Sequence, residues 1–160
     1  AQGGGKTIIG NNNWIMACVH IAHDCILGDN IIMANNASLA GHVTVGDWAI
    51  LSGYSLIHQF CNVGEHSFTS FASHVNQSIP RYVTVSGEKA RAKGVNTEGL
   101  KRRGYSPEQI RQVRRAYKLL YRSGLPLEEA KSQLSEMAEG HDEIKPWVEF
   151  LDTTVKSFIR

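Results

Sequence analysis

Apolar residues recur along the first half of the chain with a period of six. Counted in sixes from Ile9, the first positions are Ile9, Ile15, Ile21, Leu27, Met33, Leu39, Val45, Leu51, Ile57 and Val63, ten apolar residues in succession. The fifth positions are mostly small or β-branched: Val19, Cys25, Ile31, Ala37, Val43, Ala49, Ser55, Cys61 and Ser67. An amphipathic helix would instead repeat at i, i+3, i+4 and i+7. A period of six with small inward residues suits a triangular coil with three short flat faces. Three sixes then make one coil, and backbone hydrogen bonds join successive coils about 4.8 Å apart. Gly10, Gly28, Gly46 and Gly64 recur every 18 residues at the second position. They are expected at one corner, in a backbone conformation costly for other residues. The repeat is expected to loosen after Val63, because Thr69 interrupts the apolar series before Val75.

At Pro80 the pattern changes. Tyr82, Val83 and Val85 keep a strand-like alternation, after which the chain turns polar and basic up to Gly99. Ser106-Pro107-Glu108-Gln109 supplies an N-cap, a proline at the first helical position and a capping-box glutamine. Ile110, Val113, Tyr117 and Leu120 then form one apolar stripe, and Gly124 is a plausible stop. A second helix is predicted after Pro126, with Leu127, Ala130, Leu134 and Met137 inward. A third is predicted over Lys145–Ile159, carrying Trp147, Phe150, Leu151, Val155, Phe158 and Ile159. The predicted fold is a β-solenoid, a left-handed parallel β-helix over residues 1–87. A basic connector and a small α-helical domain over residues 88–160 follow it.

Charge sharpens this division. Residues 1–87 carry two Lys/Arg and four Asp/Glu, residues 88–122 eleven and three, and residues 123–160 four and eight. The basic middle block could dock nucleic acid, the phosphates of a small ligand, or an acidic carrier protein. Three cysteines without C-x-x-C spacing argue against a disulfide framework or a thiolate zinc site and fit a reducing cytosol. They are expected as small fillers of a narrow core. No apolar run is long enough to span a bilayer, and no secretory signal is visible near Ala1.

The chemistry-bearing stretch is His20-Ile21-Ala22-His23-Asp24-Cys25. His23 is third in its six, a position the coil turns outward. Adding 18 leads to Gly41 and then Gln59; adding 18 to Asp24 leads to His42. An imidazole beside a residue without a side chain leaves a small open place on the wall. His23 could act there as a general base, Asp24 could hold its tautomer, and the Gly41 amide could donate to an oxyanion. The same residues would equally serve as solvated polar positions. Histidines at 20, 23, 42, 58 and 66 raise the question of zinc, but the His-x4-His pair of γ-carbonic-anhydrase-type solenoids is missing, and no metal is expected. Gly3-Gly4-Gly5-Lys6-Thr7 is similar to the end of a phosphate-binding loop. The helix which that mechanism requires is not predicted after Thr7.

Several stretches together carry a specific resemblance: Gln2-Gly3-Gly4-Gly5, HIAHDC at 20–25, ANNASLAGHV at 34–43, HQFC at 58–61, GVNTEGLKRRG at 94–104 and YKLLYRSG at 117–124. The chain resembles the acyl-[acyl-carrier-protein]–UDP-N-acetylglucosamine O-acyltransferases over essentially all of its length. The resemblance implies transfer of a 3-hydroxyacyl chain from acyl carrier protein to the 3-hydroxyl of UDP-N-acetylglucosamine, the first step of lipid A synthesis. It implies a cytoplasmic homotrimer with sites between adjacent β-helices, no cofactor, and no nucleic acid or membrane span. By motif position it assigns His23 as base, Asp24 as its orienting partner and Gly41 as oxyanion donor. It assigns substrate binding to His20, His42, His58 and Gln59, and nucleotide binding to Asn96, Glu98, Arg102 and Arg103. N-acyl transfer to a related amino-sugar nucleotide, or a non-catalytic trimeric scaffold, would use the same fold. Family members open their β-helix with further coils, so this chain is expected to be N-terminally incomplete and poorly active alone. Phe68 and Phe71 stand where the family often has small residues, which implies preference for a shorter acyl chain.

Overall fold

A computed structural model of the chain describes residues 4–153 and 157–160. Gln2 and Gly3 of the first matched stretch, and Val155 of the predicted third helix, lie outside the described residues. The apolar period of six becomes a parallel solenoid of four coils. The first coil holds β1 (Ile8–Ile9), β2 (Trp14–Ile15) and β3 (His20–Ile21). The second holds β4 (Ile26–Leu27), β5 (Ile32–Met33) and β6 (Ser38–Leu39). The third holds β7 (Thr44–Val45), β8 (Ile50–Leu51) and β9 (Leu56–Ile57), and the fourth β10 (Asn62–Val63), β11 (Phe68–Thr69) and β12 (His74–Val75). Every pairing between coils is parallel and offset by 18 residues, as in Ile8↔Ile26 and His20↔Ser38. A side chain therefore stacks on its equivalent one coil away, and Ile31, Met33, Leu39, Val43, Ala49 and Leu51 are fully enclosed. The Val, Leu, Ile and Met side chains among them contribute roughly 1.5–3 kcal/mol each when fully buried.

Each six turns one corner, and the corner residue, fourth in its six, is left-handed. From Asn12 to Ala72, every sixth residue has φ between +53° and +63°. Asn12, Asp24, Asn30 and Asn36 suit that region, whereas Trp48, Tyr54 and Phe60 are costly there. Hydrogen bonds between stacked corners hold them, for example His42 N–H to the His23 carbonyl at 3.1 Å and Phe60 N–H to that of Gly41 at 3.2 Å.

The glycine column needs a different explanation from the one expected. Gly10, Gly28, Gly46 and Gly64 are not among the left-handed residues. They are small because the next coil crowds them: a Cβ on Gly28 would lie 2.0 Å from Asp47 Oδ1, and one on Gly64 2.5 Å from the Arg81 backbone nitrogen. Asp47 uses the space to accept the Asp29 amide at 2.8 Å. Gly64→Ala is expected to destabilise the protein by at least about 2 kcal/mol, because backbone rather than a mobile side chain must yield. Gly53→Ala, whose Cβ would meet the Phe71 ring edge at 3.3 Å, should change stability by less than about 0.5 kcal/mol. Urea denaturation of the two variants checks the contrast.

The repeat does not loosen at Thr69. Thr69 is fully buried and its hydroxyl pairs with Ser55 Oγ at 2.6 Å, so a polar pair fills the place of an apolar one. Beyond β12, β13 (Val83–Ser86) adds in parallel to β11, and β14 (Arg91–Val95) closes an antiparallel hairpin on β13. Cys25 and Cys61 are the expected core fillers. Cys18 is exposed because it is a corner residue, fourth in its six rather than fifth.

The helices are α1 (Thr97–Arg102), α2 (Pro107–Arg122), α3 (Leu127–Gly140) and α4 (Lys145–Thr153). Helix α2 starts with the predicted reciprocal box between Ser106 and Gln109. The third predicted helix is shorter than expected. Its described span is Lys145–Thr153, and residues 157–160 are not helical but return to the solenoid, where Phe158 bridges Ser78 and Ile159 N–H donates to the Ser78 carbonyl at 2.8 Å. Burying Ile159 against the last coil, rather than in a helix stripe, covers that end. No helix among the described residues is long and apolar enough to cross a membrane.

Candidate active site

One corner of the solenoid gathers the titratable side chains. Its successive coils present His23-Asp24, Gly41-His42 and Gln59-Phe60. His23 Nδ1 lies 2.9 Å from Asp24 Oδ2. An ionised carboxylate only accepts, so Nδ1 carries a proton, and in the neutral ring Nε2 is the nitrogen with the lone pair. The other Asp24 oxygen accepts the Gly5 amide at 2.7 Å, which fixes the carboxylate from behind. The hydrogen bond from His23, aided by that amide, holds the Asp24 carboxyl below its ordinary range despite partial desolvation.

The His23 ring lies over Gly41. A Cβ built there would sit 2.6 Å from its Cε1 and 2.7 Å from its Nε2. Among the described residues no acceptor takes the Gly41 amide. His42 meets the His23 ring edge-on at 5.0 Å and stacks on Phe60 at 4.7 Å. Its Nε2 is 4.0 Å from Asp24 Oδ2, too far for a hydrogen bond. Donor atoms of His23, Asp24 and His42 all lie within 4.8 Å of one another, so among the described residues these three could hold a cation.

His20 and His58 lie on the flat face leading into this corner, His20 exposed on β3. His58 lines a cavity of about 250 Å³ with Leu56, His74, Asn76 and Glu88. Gln59 stands one coil beyond Gly41 in the His23 column.

The second group assigned by resemblance is elsewhere. Asn96 and Arg103 attach to another corner, formed by Asn30, Trp48 and His66. Asn96 caps α1 by accepting the Gly99 amide at 3.1 Å and donates Nδ2 to the His66 carbonyl at 2.9 Å. Arg103 donates Nη2 to the Trp48 carbonyl at 3.0 Å, and its guanidinium stands 5.3 Å over the Trp48 ring. Glu98 is exposed and ion-paired with Lys101 at 2.8 Å, and Arg102 is exposed at the end of α1. Within one chain, the structure thus groups His23, Asp24, Gly41 and His42 at one corner and Asn96 and Arg103 at another.

A family model described as UDP N-acetylglucosamine O-acyltransferase, domain 2, matches residues 79–159, and one for six bacterial transferase hexapeptide repeats matches residues 6–41. The chain belongs to the UDP-N-acetylglucosamine O-acyltransferase family. An acyl-[acyl-carrier-protein]–UDP-N-acetylglucosamine O-acyltransferase of Janthinobacterium sp. (strain Marseille) is 51% identical over 164 residues, covering 100% of this chain and 63% of the relative. One of Thiobacillus denitrificans is 52% identical over 159 residues, covering 99% and 62%. The chain therefore spans about three-fifths of the length of the curated relatives it matches. Among solved structures, the Francisella novicida UDP-N-acetylglucosamine acyltransferase superposes with a TM-score of 0.93 at 43% identity, over 95% of this chain and 56% of that one. The Moraxella catarrhalis UDP-N-acetylglucosamine O-acyltransferase gives 0.96 at 38% identity, over 99% and 62%.

In this member of the UDP-N-acetylglucosamine O-acyltransferase family, the pattern of the sequence leaves out His74 and brings in His66 only as a histidine that raises the question of zinc. His74 was within reach, because it follows His20 by three periods of 18 in one outward column. The surroundings of His66 were not, because Arg103 and Tyr105 arrive from nearly forty residues away. Burial, reinforced by the Arg103 and Arg81 guanidiniums, lowers the His66 pKa from 6.5 to about 4. As pH falls below 6.5 the unfolded chain binds a proton at this ring and the folded one does not. The stability it contributes is complete above pH 6.5 and is lost between 6.5 and 4, by roughly 3 kcal/mol. Urea midpoints at pH 7 and pH 4.5 should separate by less in His66→Asn than in the unsubstituted protein.

Proposed function

We propose that the chain serves transfer of a 3-hydroxyacyl group from acyl carrier protein to the 3-hydroxyl of UDP-N-acetylglucosamine, opening lipid A synthesis in the cytoplasm. The observation that carries this reading is the His23 ring, protonated toward Asp24 with its free Nε2 over the Gly41 backbone. Nε2 accepts the sugar hydroxyl proton as that oxygen attacks the thioester carbonyl. The Gly41 amide donates to the oxygen as it gains charge, and Asp24 stabilises the imidazolium. Collapse of the tetrahedral intermediate breaks the C–S bond, and the imidazolium returns the proton to the leaving thiolate. A thioester is already activated, so these steps need neither a metal nor a covalent enzyme intermediate.

A homotrimer with sites between adjacent solenoids completes the reading. The His23 corner and the Arg103 corner are separate within one chain, and a neighbouring copy can bring one against the other. Arg102 and Arg103, with Asn96 and Glu98 beside them, would then meet the nucleotide, and His20, His42, His58 and Gln59 the sugar and the acyl thioester. Helix α2 carries Arg111, Arg114, Arg115, Lys118 and Arg122, the last three along a cavity of about 1010 Å³ beside α3. That face suits an acidic carrier protein better than it suits a single phosphate group.

Incubation with UDP-N-acetylglucosamine and 3-hydroxyacyl carrier protein should give the O-acylated sugar nucleotide. Product only from a 3-amino sugar nucleotide would overturn the oxygen acceptor. Chain length supplies another prediction. Phe71 is 69% exposed at the corner it shares with Tyr54, and the two rings meet edge-on at 5.6 Å. Phe68 is half-buried on β11. In competition between carrier-bound chains, the shorter should be used in preference. Phe71→Ala should shift use toward the longer one by about tenfold, the effect of one or two methylenes of pocket space.

A further inference from the structure

Arg103 is tethered before any ligand arrives, and the tether leads to His66. Nη1 of Arg103 lies 3.3 Å from His66 Nδ1. A guanidinium only donates, so Nδ1 must be the unprotonated nitrogen. The proton of the neutral ring is then on Nε2, where the Tyr105 hydroxyl at 3.3 Å accepts it. Both ring nitrogens are thereby committed in one sense.

The ring itself has little freedom. It is 8% exposed and lies parallel to Trp48 at 6.5 Å and nearly parallel to Tyr82 at 5.6 Å, with Tyr105 edge-on at 5.4 Å. Its backbone carbonyl accepts Asn96 Nδ2, so the same residue also anchors the cap of α1. Gly99 keeps the space open, because a Cβ there would lie 2.5 Å from Asn96 Nδ2 and 2.8 Å from Arg103 Nη1.

We infer that His66 is a positioning residue: its neutral imidazole and the Trp48 carbonyl hold the Arg103 guanidinium by two of its N–H groups, leaving three to face a nucleotide phosphate. The inference rests on the reading above that this corner takes the nucleotide. A guanidinium fixed in advance loses less freedom when it binds, which is where the affinity is gained. The depressed proton affinity of His66 serves the same end, since an imidazolium would repel Arg103 and lose its acceptor.

The test is calorimetric binding of UDP at neutral pH to the chain and its variants. His66→Phe keeps a ring between Trp48 and Tyr82 and removes both nitrogens. His66→Asn offers an amide oxygen near the place of Nδ1 and suits the left-handed backbone, φ +56°. His66→Phe should weaken UDP binding about tenfold, the scale of a hydrogen bond to a charged group. His66→Asn should recover most of that loss, and His66→Phe should add almost nothing in an Arg103→Ala background. Wild-type affinity in His66→Phe, failure of rescue by His66→Asn, or full additivity with Arg103→Ala overturns the role of His66 and leaves the nucleotide reading intact. No effect of Arg103→Ala, or no UDP binding by the unsubstituted chain, overturns both together.

Discussion

His23→Ala should lower kcat for acyl transfer by about a thousandfold while leaving the fold intact. The two halves of that expectation come from different features of the corner. The ring lies over Gly41, and no second imidazole replaces it: His42 presents Nε2 toward Asp24 at 4.0 Å and is held against Phe60. His23 itself is 72% exposed in its side chain and, among the described residues, makes one side-chain hydrogen bond, to Asp24. Its removal should change unfolding free energy by no more than about 0.5 kcal/mol. Initial rates with UDP-N-acetylglucosamine and 3-hydroxyacyl carrier protein, alongside thermal unfolding, measure the two quantities. A rate within tenfold of the unsubstituted protein would remove His23 from the mechanism.

Gly41→Ala should be nearly as damaging to the rate, although it adds one methyl group and removes nothing. That methyl would enter the space of the His23 ring, at 2.6 Å from Cε1 and 2.7 Å from Nε2. Gly41 does not have a left-handed backbone, so alanine is tolerated conformationally. The obstacle is the end of an exposed side chain, and the ring swings outward at little cost to folding. In swinging it leaves both the Asp24 carboxylate and the Gly41 amide, and a displacement of about an ångström at reacting groups costs on the order of a hundredfold. The expected signature is a rate loss of that order or greater with unchanged stability. Gly64→Ala should show the reverse emphasis, because backbone stands in its way. Gly41→Ala with normal kcat would mean that the ring does not work in the position it occupies over Gly41.

These two residues also show how far a period can be followed by counting. In a solenoid, spatial neighbours are separated by a fixed number of residues, so adding 18 is a contact prediction. It placed His23 beside Gly41 and Asp24 beside His42, and applied once more it would have put His74 in the His20 column. The same count located the glycine column but not its reason. Strict spacing of glycines suggested left-handed corners, whereas the corners fall on Asp24, His42, Trp48 and Phe60, and the glycines yield to Asp47, Glu65 and Arg81 of the next coil. Period two or six says where a side chain is and not how closely the neighbouring backbone approaches.

Outside the repeat, local signals were read to the extent that they were local. The Ser106–Gln109 box lies within one helical turn, so its residues alone decide it. The end of α4 does not, because Phe158 and Ile159 would fit a helix stripe and instead gain more by closing the last coil at Ser78. The His66–Arg103 contact joins a corner of the fourth coil to the end of α1. It depends on the hairpin of β13 and β14 folding α1 back, and no spacing encodes that.

The sequence by itself determined the solenoid, its coil length and the columns in which its outward residues stack, because a regular coil converts spacing into distance. It determined the start of α2 through capping chemistry contained in four residues. Only the tertiary structure decided the tautomer of His23, the burial of His66 against Arg103, the crowding at the glycines and the placing of the Asn96–Arg103 segment on a different corner from His23. Each of these depends on close approach between segments that the period does not relate, and such approach is set by packing rather than by pattern.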